Sequence, residues 1–288
     1  MRPQKNTVTR QFMTWFFKYP HNPYVSCSVS LDFGSAQAYL RSLNDDDARP
    51  RVSIQHLLTA AVARVYREFP AANATIIGSR IYRHEHVGVA MPVNMLETGG
   101  SLGLETSLIF VERVDCLSLR GLALATQERV ASLRDGEGKS NVWRNLAPLV
   151  GKLPDAVIHA TLDAFEAICT IPFVGEAVHR SLPITVAVSN PGAAFSMPAG
   201  GAFRAASFAP PNRLFAVGSV LGVSALQDEV VPIAGRPEVR TMLPLIYVFD
   251  HRLFDGVMCA RILNRLGTVL LSPEDCFGPA GDDGGAAA

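Results

Sequence analysis

The hydrophobic period of this chain changes once, abruptly, between Leu243 and Leu270. From Leu243 to Phe249 the residues form an apolar run that reads as a strand. From there Val257, Met258, Ile262, Leu263, Leu266, Val269 and Leu270 recur at helical spacing. The link between them is Asp250-His251-Arg252-Leu253-Phe254-Asp255-Gly256. His251 therefore stands where a strand ends and a helix is about to begin. Imidazole titrates near neutrality, so a histidine held there can take a proton from a hydroxyl or thiol and return it. Asp255 can fix a cation or a loop beside it, and Gly256 permits a sharp backbone turn.

Other elements are legible around this unit. Val25, Cys27, Val29 and Leu31 alternate with Ser26, Ser28 and Ser30, which predicts a strand whose polar face meets water, another subunit or a ligand channel. A helix is expected from Ser35 to Leu43. Ser53 is placed to cap a second, in which Ile54, Leu57, Leu58, Ala61, Val62 and Val65 share one face before Pro70 stops it. Strand-like segments recur at Ile81 to Met91, Thr106 to Val111, Ile184 to Val188, Leu214 to Val220 and Val239 to Phe249. Helical patterns fill Leu117 to Leu133 and, more raggedly, Val142 to Ala167. Helices interspersed with extended segments predict an α/β (α+β) sandwich, a mixed sheet flanked by helices. Residues 1–277 read as one domain. The Gly/Ala/Asp-rich stretch 278–288 reads as a disordered tail.

Composition narrows the functional classes. Apolar residues make up 48% of the 288 positions, enough for a sizeable core. Lys+Arg and Asp+Glu balance at 26 each, and no basic face or block stands out, so no nucleic-acid partner is expected. No run approaches the length of a membrane span, and Phe12 to Phe17 is too short for a signal sequence. The five cysteines are dispersed without Cys-x-x-Cys spacing and read as reduced intracellular thiols. A soluble cytoplasmic protein without a membrane partner follows. No metal is expected either. His84 and His86 fall on one face of an expected strand with no third ligand in register, and read as an exposed pair. His56, His159 and His179 lie in helical surroundings, and His21 in a loop.

The segment from Asp250 to Gly256, followed by Ala260-Arg261-Ile262-Leu263, closely resembles the Asp-His-Arg-x-x-Asp-Gly signature of the dihydrolipoyl acyltransferase catalytic cores. These are the second component of the 2-oxoacid dehydrogenase complexes and share the fold of chloramphenicol acetyltransferase. Weaker likenesses lie in order along the chain: Arg67-Glu-Phe-Pro-Ala-Ala-Asn-Ala-Thr, Glu85-His-Val-Gly-Val-Ala and Phe208-Ala-Pro-Pro-Asn-Arg-Leu-Phe-Ala-Val-Gly. The resemblance implies a CoA-dependent acyltransferase with His251 as general base. Val186-Ala-Val-Ser189-Asn190-Pro-Gly192 matches the family's Ile-Ser-x-x-Gly segment. It implies that the Ser189 hydroxyl donates to the oxyanion formed during acyl transfer, where one donor contributes about 3–4 kcal/mol. Read without the resemblance, Ser189 is more simply a serine opening a turn before Pro191-Gly192. The family pairs the aspartate of its motif with an arginine near the N-terminus. Asp255 and Arg10 occupy those places here, and Arg252 is expected to brace a loop or an interface.

Three departures refine the expectation. No lipoyl or subunit-binding module precedes the core, and the C-terminal segment lacks the family's apolar contact, which implies a discrete homotrimer in place of a cage. Asn141 to Ala167 looks like added material that could shape a pocket for a small acceptor. The Gly-rich stretch Gly99-Gly100-Ser101-Leu102-Gly103 fits Gly-x-Ser-x-Gly but lacks the strand-to-helix context such a motif needs, and Cys259 has no evident activating neighbour, so direct transfer is expected over an acyl-enzyme. The chain has the length of one half of the two-half relatives, so a neighbouring subunit must complete the active site, with His251 of one facing Ser189 of the next. The resulting expectation is a stand-alone enzyme moving acetyl from acetyl-CoA to the hydroxyl of a small molecule in natural-product biosynthesis, in its sharpest form a tetronate intermediate. The alternatives are a dihydrolipoyl transacylase core served by lipoyl domains on another chain, and a catalytically silent trimeric scaffold.

Overall fold

A computed structural model describes residues 2–3, 23–46, 48–94, 106–134, 155–195, 198, 204 and 217–283. Its spine is the fifteen-residue strand β10 (Arg236–Asp250). The outer half of β10 forms a hairpin with β9 (Gln227–Ile233). Its apolar half lies between β2 (Tyr24–Asp32) and β8 (Ser219–Val223), antiparallel to all three. Beyond β8 the sheet continues through β7 (Val186–Ser189) and β5 (Val89–Asn94) to β6 (Thr106–Val111), giving the order β2-β10-β8-β7-β5-β6. β7 runs parallel to both neighbours, so the sheet is mixed, as expected. A second, small sheet joins β1 (Arg2–Pro3), β4 (Arg80–Arg83) and β3 (Ala74–Ile77).

Burial along β10 explains why so apolar a run is a strand. Leu243, Leu245, Tyr247 and Phe249 face a layer of helices, while Ile246 and Val248 face the opposite side, with Ala90, Ile184 and Val220. Burying each such side chain contributes about 1.5–3 kcal/mol, so exposing either face would cost heavily. The helical layer is built from α1 (Gly34–Leu43), α2 (Ile54–Glu68) and α6 (Gly256–Leu271), with α6 packing on both α1 and α2. The buried face of α6 consists of Cys259, Ile262, Leu263, Leu266, Val269 and Leu270. α3 (Leu119–Arg134) packs against α2 and β6, and the short α7 (Pro273–Phe277) against α1 and α6.

Ser53 begins α2 as the sequence predicts. Its hydroxyl accepts from the His56 N–H, and the Ser53 N–H donates to His56 Nδ1, both at 3.2 Å. This reciprocal cap puts a histidine where Glu or Gln is usual, and it needs Nδ1 unprotonated. Burial favours that state, pushing the His56 pKa down to about 4.

The structure differs from the expectation in five places. Ile81 to Met91 is two strands in two sheets, because the side chain of Asn73 binds the carbonyls of His84 and His86 and turns the chain between them. The strand expected over Leu214 to Val220 is described from Ser219 and runs to Val223. The β9–β10 hairpin was not anticipated. The ragged helical pattern ending at Ala167 resolves into α4 (Asp155–Cys169), followed by α5 (Pro172–Ser181); residues 142–154 lie outside the described set. The first part of the expected tail is also tied down. Tyr39 donates to the Gly278 carbonyl (2.7 Å), and the buried Arg120 guanidinium donates to the carbonyls of Ala280, Pro50 and Leu43.

Candidate active site

His251 follows β10 directly. Its N–H donates to the Pro23 carbonyl (2.9 Å), which ties the turn to the start of β2. The half-buried ring lies 5.9 Å from that of Phe249, which stacks on Phe254 at 4.7 Å. Asp250 and Arg252, on either side, brace the turn. The Asp250 carboxylate, almost fully buried, accepts from the Arg252 backbone N–H (2.9 Å) and from its guanidinium Nε and Nη2 (2.6–3.1 Å). The loop-bracing expectation for Arg252 therefore has a named partner. The motif gave Asp250 no role of its own, although its i, i+2 spacing to Arg252 is visible in the sequence. Tyr24, opposite Asp250 in the sheet, donates to the Val217 carbonyl (3.1 Å). Burial, reinforced by the Asp250 carboxylate, raises its pKa and keeps it a neutral donor.

Asp255 is the N-cap of α6, its carboxylate accepting from the Met258 N–H at 3.0 Å. Arg10, its expected partner, lies outside the described residues. Gly256 does not serve the sharp turn expected of it. It is the first residue of α6, does not have a positive φ, and an added Cβ would meet no atom of the described residues within 4 Å.

Ser189 is the last residue of β7 and is half-buried. The turn that follows is sterically closed: a Cβ on Gly192 would come within 2.2 Å of the Ser224 carbonyl carbon. Sheet register then separates Ser189 from His251. Ser189 pairs with Gly222, and Gly222 pairs with Ile246. His251 lies five residues further along β10, about 17 Å at strand rise, and two strands across, about 10 Å. Within one chain the hydroxyl and the imidazole occupy opposite ends of the sheet.

The remaining candidates are accounted for. His84 and His86 are not an exposed pair. His84 Nε2 is buried without a hydrogen-bond partner among the described residues, and burial, with His179 nearby, lowers the His84 pKa to about 4. His86 faces Asp115 and Cys116. Cys259 is 1% exposed, and burial raises its thiol pKa to about 12, which makes it a poor nucleophile. Residues 95–105, which hold the Gly-rich stretch, are outside the described set, as is His21.

A strand-turn-helix that delivers a braced histidine, in a mixed sheet covered by helices, is the core of a CoA-dependent acyltransferase fold. The chain belongs to the family described as 2-oxoacid dehydrogenases acyltransferase (catalytic domain), which matches residues 9–144 and 185–278. Residues 145–184, which contain α4 and α5, fall outside that match. No curated protein matches the sequence. Among solved structures it is similar to a probable dihydrolipoamide acetyltransferase from Listeria monocytogenes 4b F2365, with 18% identity, TM-score 0.60, and coverage of 96% of this chain and 97% of that one. The dihydrolipoamide acetyltransferase of Azotobacter vinelandii, described through the catalytic roles of a serine, a histidine and an asparagine, gives 21%, 0.60, 93% and 88%. A chloramphenicol acetyltransferase gives 14%, 0.54, 93% and 100%. The protein is thus an acyltransferase of the 2-oxoacid dehydrogenase family. Among the described residues no helix is long and apolar enough to cross a membrane.

Proposed function

We propose that this protein transfers acetyl from acetyl-CoA to the hydroxyl of a small molecule, by direct transfer at sites shared between the subunits of a homotrimer. The observation that carries the reading is the register separation of Ser189 from His251. One chain cannot bring them to one substrate, whereas a closed head-to-tail ring sets His251 of each subunit against Ser189 of the next. In such a site the neutral His251 imidazole takes the acceptor proton as oxygen attacks the thioester carbonyl. The Ser189 hydroxyl donates to the oxygen on which charge develops, and His251 returns the proton to the departing thiolate. The Asp250–Arg252 pair holds the turn, and the capping carboxylate of Asp255 fixes the start of α6 behind it. Arg10 is assigned to Asp255 by family resemblance.

A small-molecule acceptor is favoured because residues 145–184 depart from the family pattern, and added chain between α3 and β7 can shape a pocket. O-acetylation of a tetronate intermediate is the sharpest form of this reading, with an intracellular, cytoplasmic setting. The Asp250-His251-Arg252 sequence favours a second reading, a transacylase core acting on dihydrolipoyl groups carried by another chain.

Release of CoA from acetyl-CoA, followed chromatographically because transfer to dihydrolipoamide frees one thiol and consumes another, separates the two. Turnover with hydroxyl acceptors but not with dihydrolipoamide supports the first reading, and the converse supports the second. His251→Ala should lower acceptor-dependent release by about 10²–10⁴-fold in either case. Release that survives this substitution refutes the assigned base.

A further inference from the structure

Away from the turn that carries His251, three side chains with metal-binding chemistry converge on one point. His86 lies in the link between β4 and β5, and Asp115 and Cys116 lie in the 3-10 turn Val114–Cys116 that follows β6. His86 Nδ1 is 3.3 Å from Asp115 Oδ2 and 3.5 Å from Cys116 Sγ, and Sγ is 3.8 Å from the same Oδ2. We infer that His86, Asp115 and Cys116 form a binding site for a zinc-like divalent transition metal.

The lengths favour coordination over hydrogen bonding. A charge-assisted N–H···O contact is normally about 2.7–2.9 Å, well below the histidine–aspartate separation here. A tetrahedral zinc ion with Zn–N near 2.0–2.1 Å, Zn–O near 2.0–2.2 Å and Zn–S near 2.3 Å sets its ligand atoms about 3.3–3.7 Å apart. The observed edges of 3.3 and 3.5 Å lie within that spacing, and the sulfur–oxygen edge of 3.8 Å lies just above it. A thiolate, a carboxylate and a neutral imidazole also balance a dication, and sulfur with imidazole selects zinc, cobalt or copper over magnesium and calcium.

The surroundings hold the ligands as a metal site requires. Asp115 is 6% exposed, and its other oxygen, Oδ1, accepts from the Val87 N–H at 2.8 Å, which aims Oδ2 at the cluster. Asn73 Nδ2 donates to the His86 carbonyl at 3.1 Å. Arg113, immediately before the turn, adopts the left-handed backbone conformation (φ 52°) rare for a non-glycine residue. The exposed Cys116 and half-buried His86 leave access from solvent. His86 also borders a cleft of about 210 Å³ shared with Glu85, Glu112 and His179. Metal entry displaces the Cys116 proton to solvent, while Nε2 keeps the ring proton and Nδ1 coordinates. Binding would pin the start of β5 to the turn after β6. The sequence reading stopped at His84 and His86 because the other two ligands lie almost thirty residues downstream.

The test uses the full, untagged chain, stripped with a chelator and titrated with Co²⁺ and then Zn²⁺. One equivalent of Co²⁺ should bind with a thiolate-to-metal charge-transfer band that Zn²⁺ abolishes. Cys116→Ala, at an exposed position, should remove the band and weaken Zn²⁺ binding by more than the roughly 10–100-fold that loss of a supporting partner costs. His86→Ala should do the same, with circular dichroism confirming its fold. Absence of the band, or wild-type Zn²⁺ affinity in Cys116→Ala, would overturn the inference. Neither readout depends on acyl transfer.

Discussion

Asp250 and Arg252 grip each other across the residue between them, His251, through contacts of 2.6–3.1 Å. The carboxylate side chain is 4% exposed and the guanidinium 17%. Two flanking residues locked to one another leave the intervening imidazole little freedom to wander. Arg252→Met should therefore act on both stability and activity. Among the described residues it leaves the buried Asp250 carboxylate with the Arg252 backbone N–H as donor, and it should cost about 3 kcal/mol, read as a drop in the urea midpoint. Asp250→Asn with Arg252→Met should recover part of this, because no charge is then stranded. A single-mutant loss below about 1 kcal/mol would place the pair with ordinary exposed bridges.

Asp255 tests whether the motif's second acid acts through structure. Its carboxylate caps α6. Asp255→Ala should cost about 1 kcal/mol of stability, and Asp255→Asn much less, since the amide oxygen can still accept from the Met258 N–H. If capping is the whole role, Asp255→Asn keeps its turnover within a few-fold of wild type. A hundredfold fall in turnover with unchanged thermal stability would show that the negative charge itself is required, as a pairing with Arg10 demands.

Two half-buried histidines, His56 and His84, set an acid limit on stability. The pKa values of His56 and His84 are lowered from 6.5 to about 4 by burial. The unfolded chain therefore binds more protons than the folded one between these values. Stability should be full above about pH 6.5 and fall as pH drops toward 4, where the slope flattens. Urea unfolding across this range should show that slope, and His84→Gln should reduce it. An unchanged slope would mean that His84 protonates as readily in the folded chain as in the unfolded one.

What the sequence made legible was local. Ser53, the apolar spacing behind it and Pro70 located α2 because caps and periodicity act within a few residues. The change of period around His251 located the turn that carries it for the same reason. The β9–β10 hairpin was missed because its strands are largely exposed and its turn is Ala234-Gly235, both at positive φ, without the Asn-Gly or Asp-Gly pair that marks such turns. The split between β4 and β5 depends on Asn73 reaching two carbonyls more than ten residues away. Juxtapositions made by the fold, such as His86 with Asp115 and Cys116, carry no sequence spacing to read. The separation of Ser189 from His251 follows from strand register, which only the assembled sheet fixes.

That separation supports a test which needs no knowledge of the acceptor's pocket. His251→Ala and Ser189→Ala should each be nearly inactive as pure proteins, the second by about 10²–10³-fold. Co-expressed in equal amounts they assort into mixed trimers. With random assortment about three-quarters of the rings contain both kinds, and each such ring has one intact His251–Ser189 interface of three. Activity should then return to about a quarter of wild type, read by thiol release from acetyl-CoA with a competent acceptor. If both groups served one site within one chain, no mixture could restore it. Activity that stays at the level of the separate mutants, in trimers verified as mixed, would refute the shared site and with it the roles assigned to this serine and this histidine.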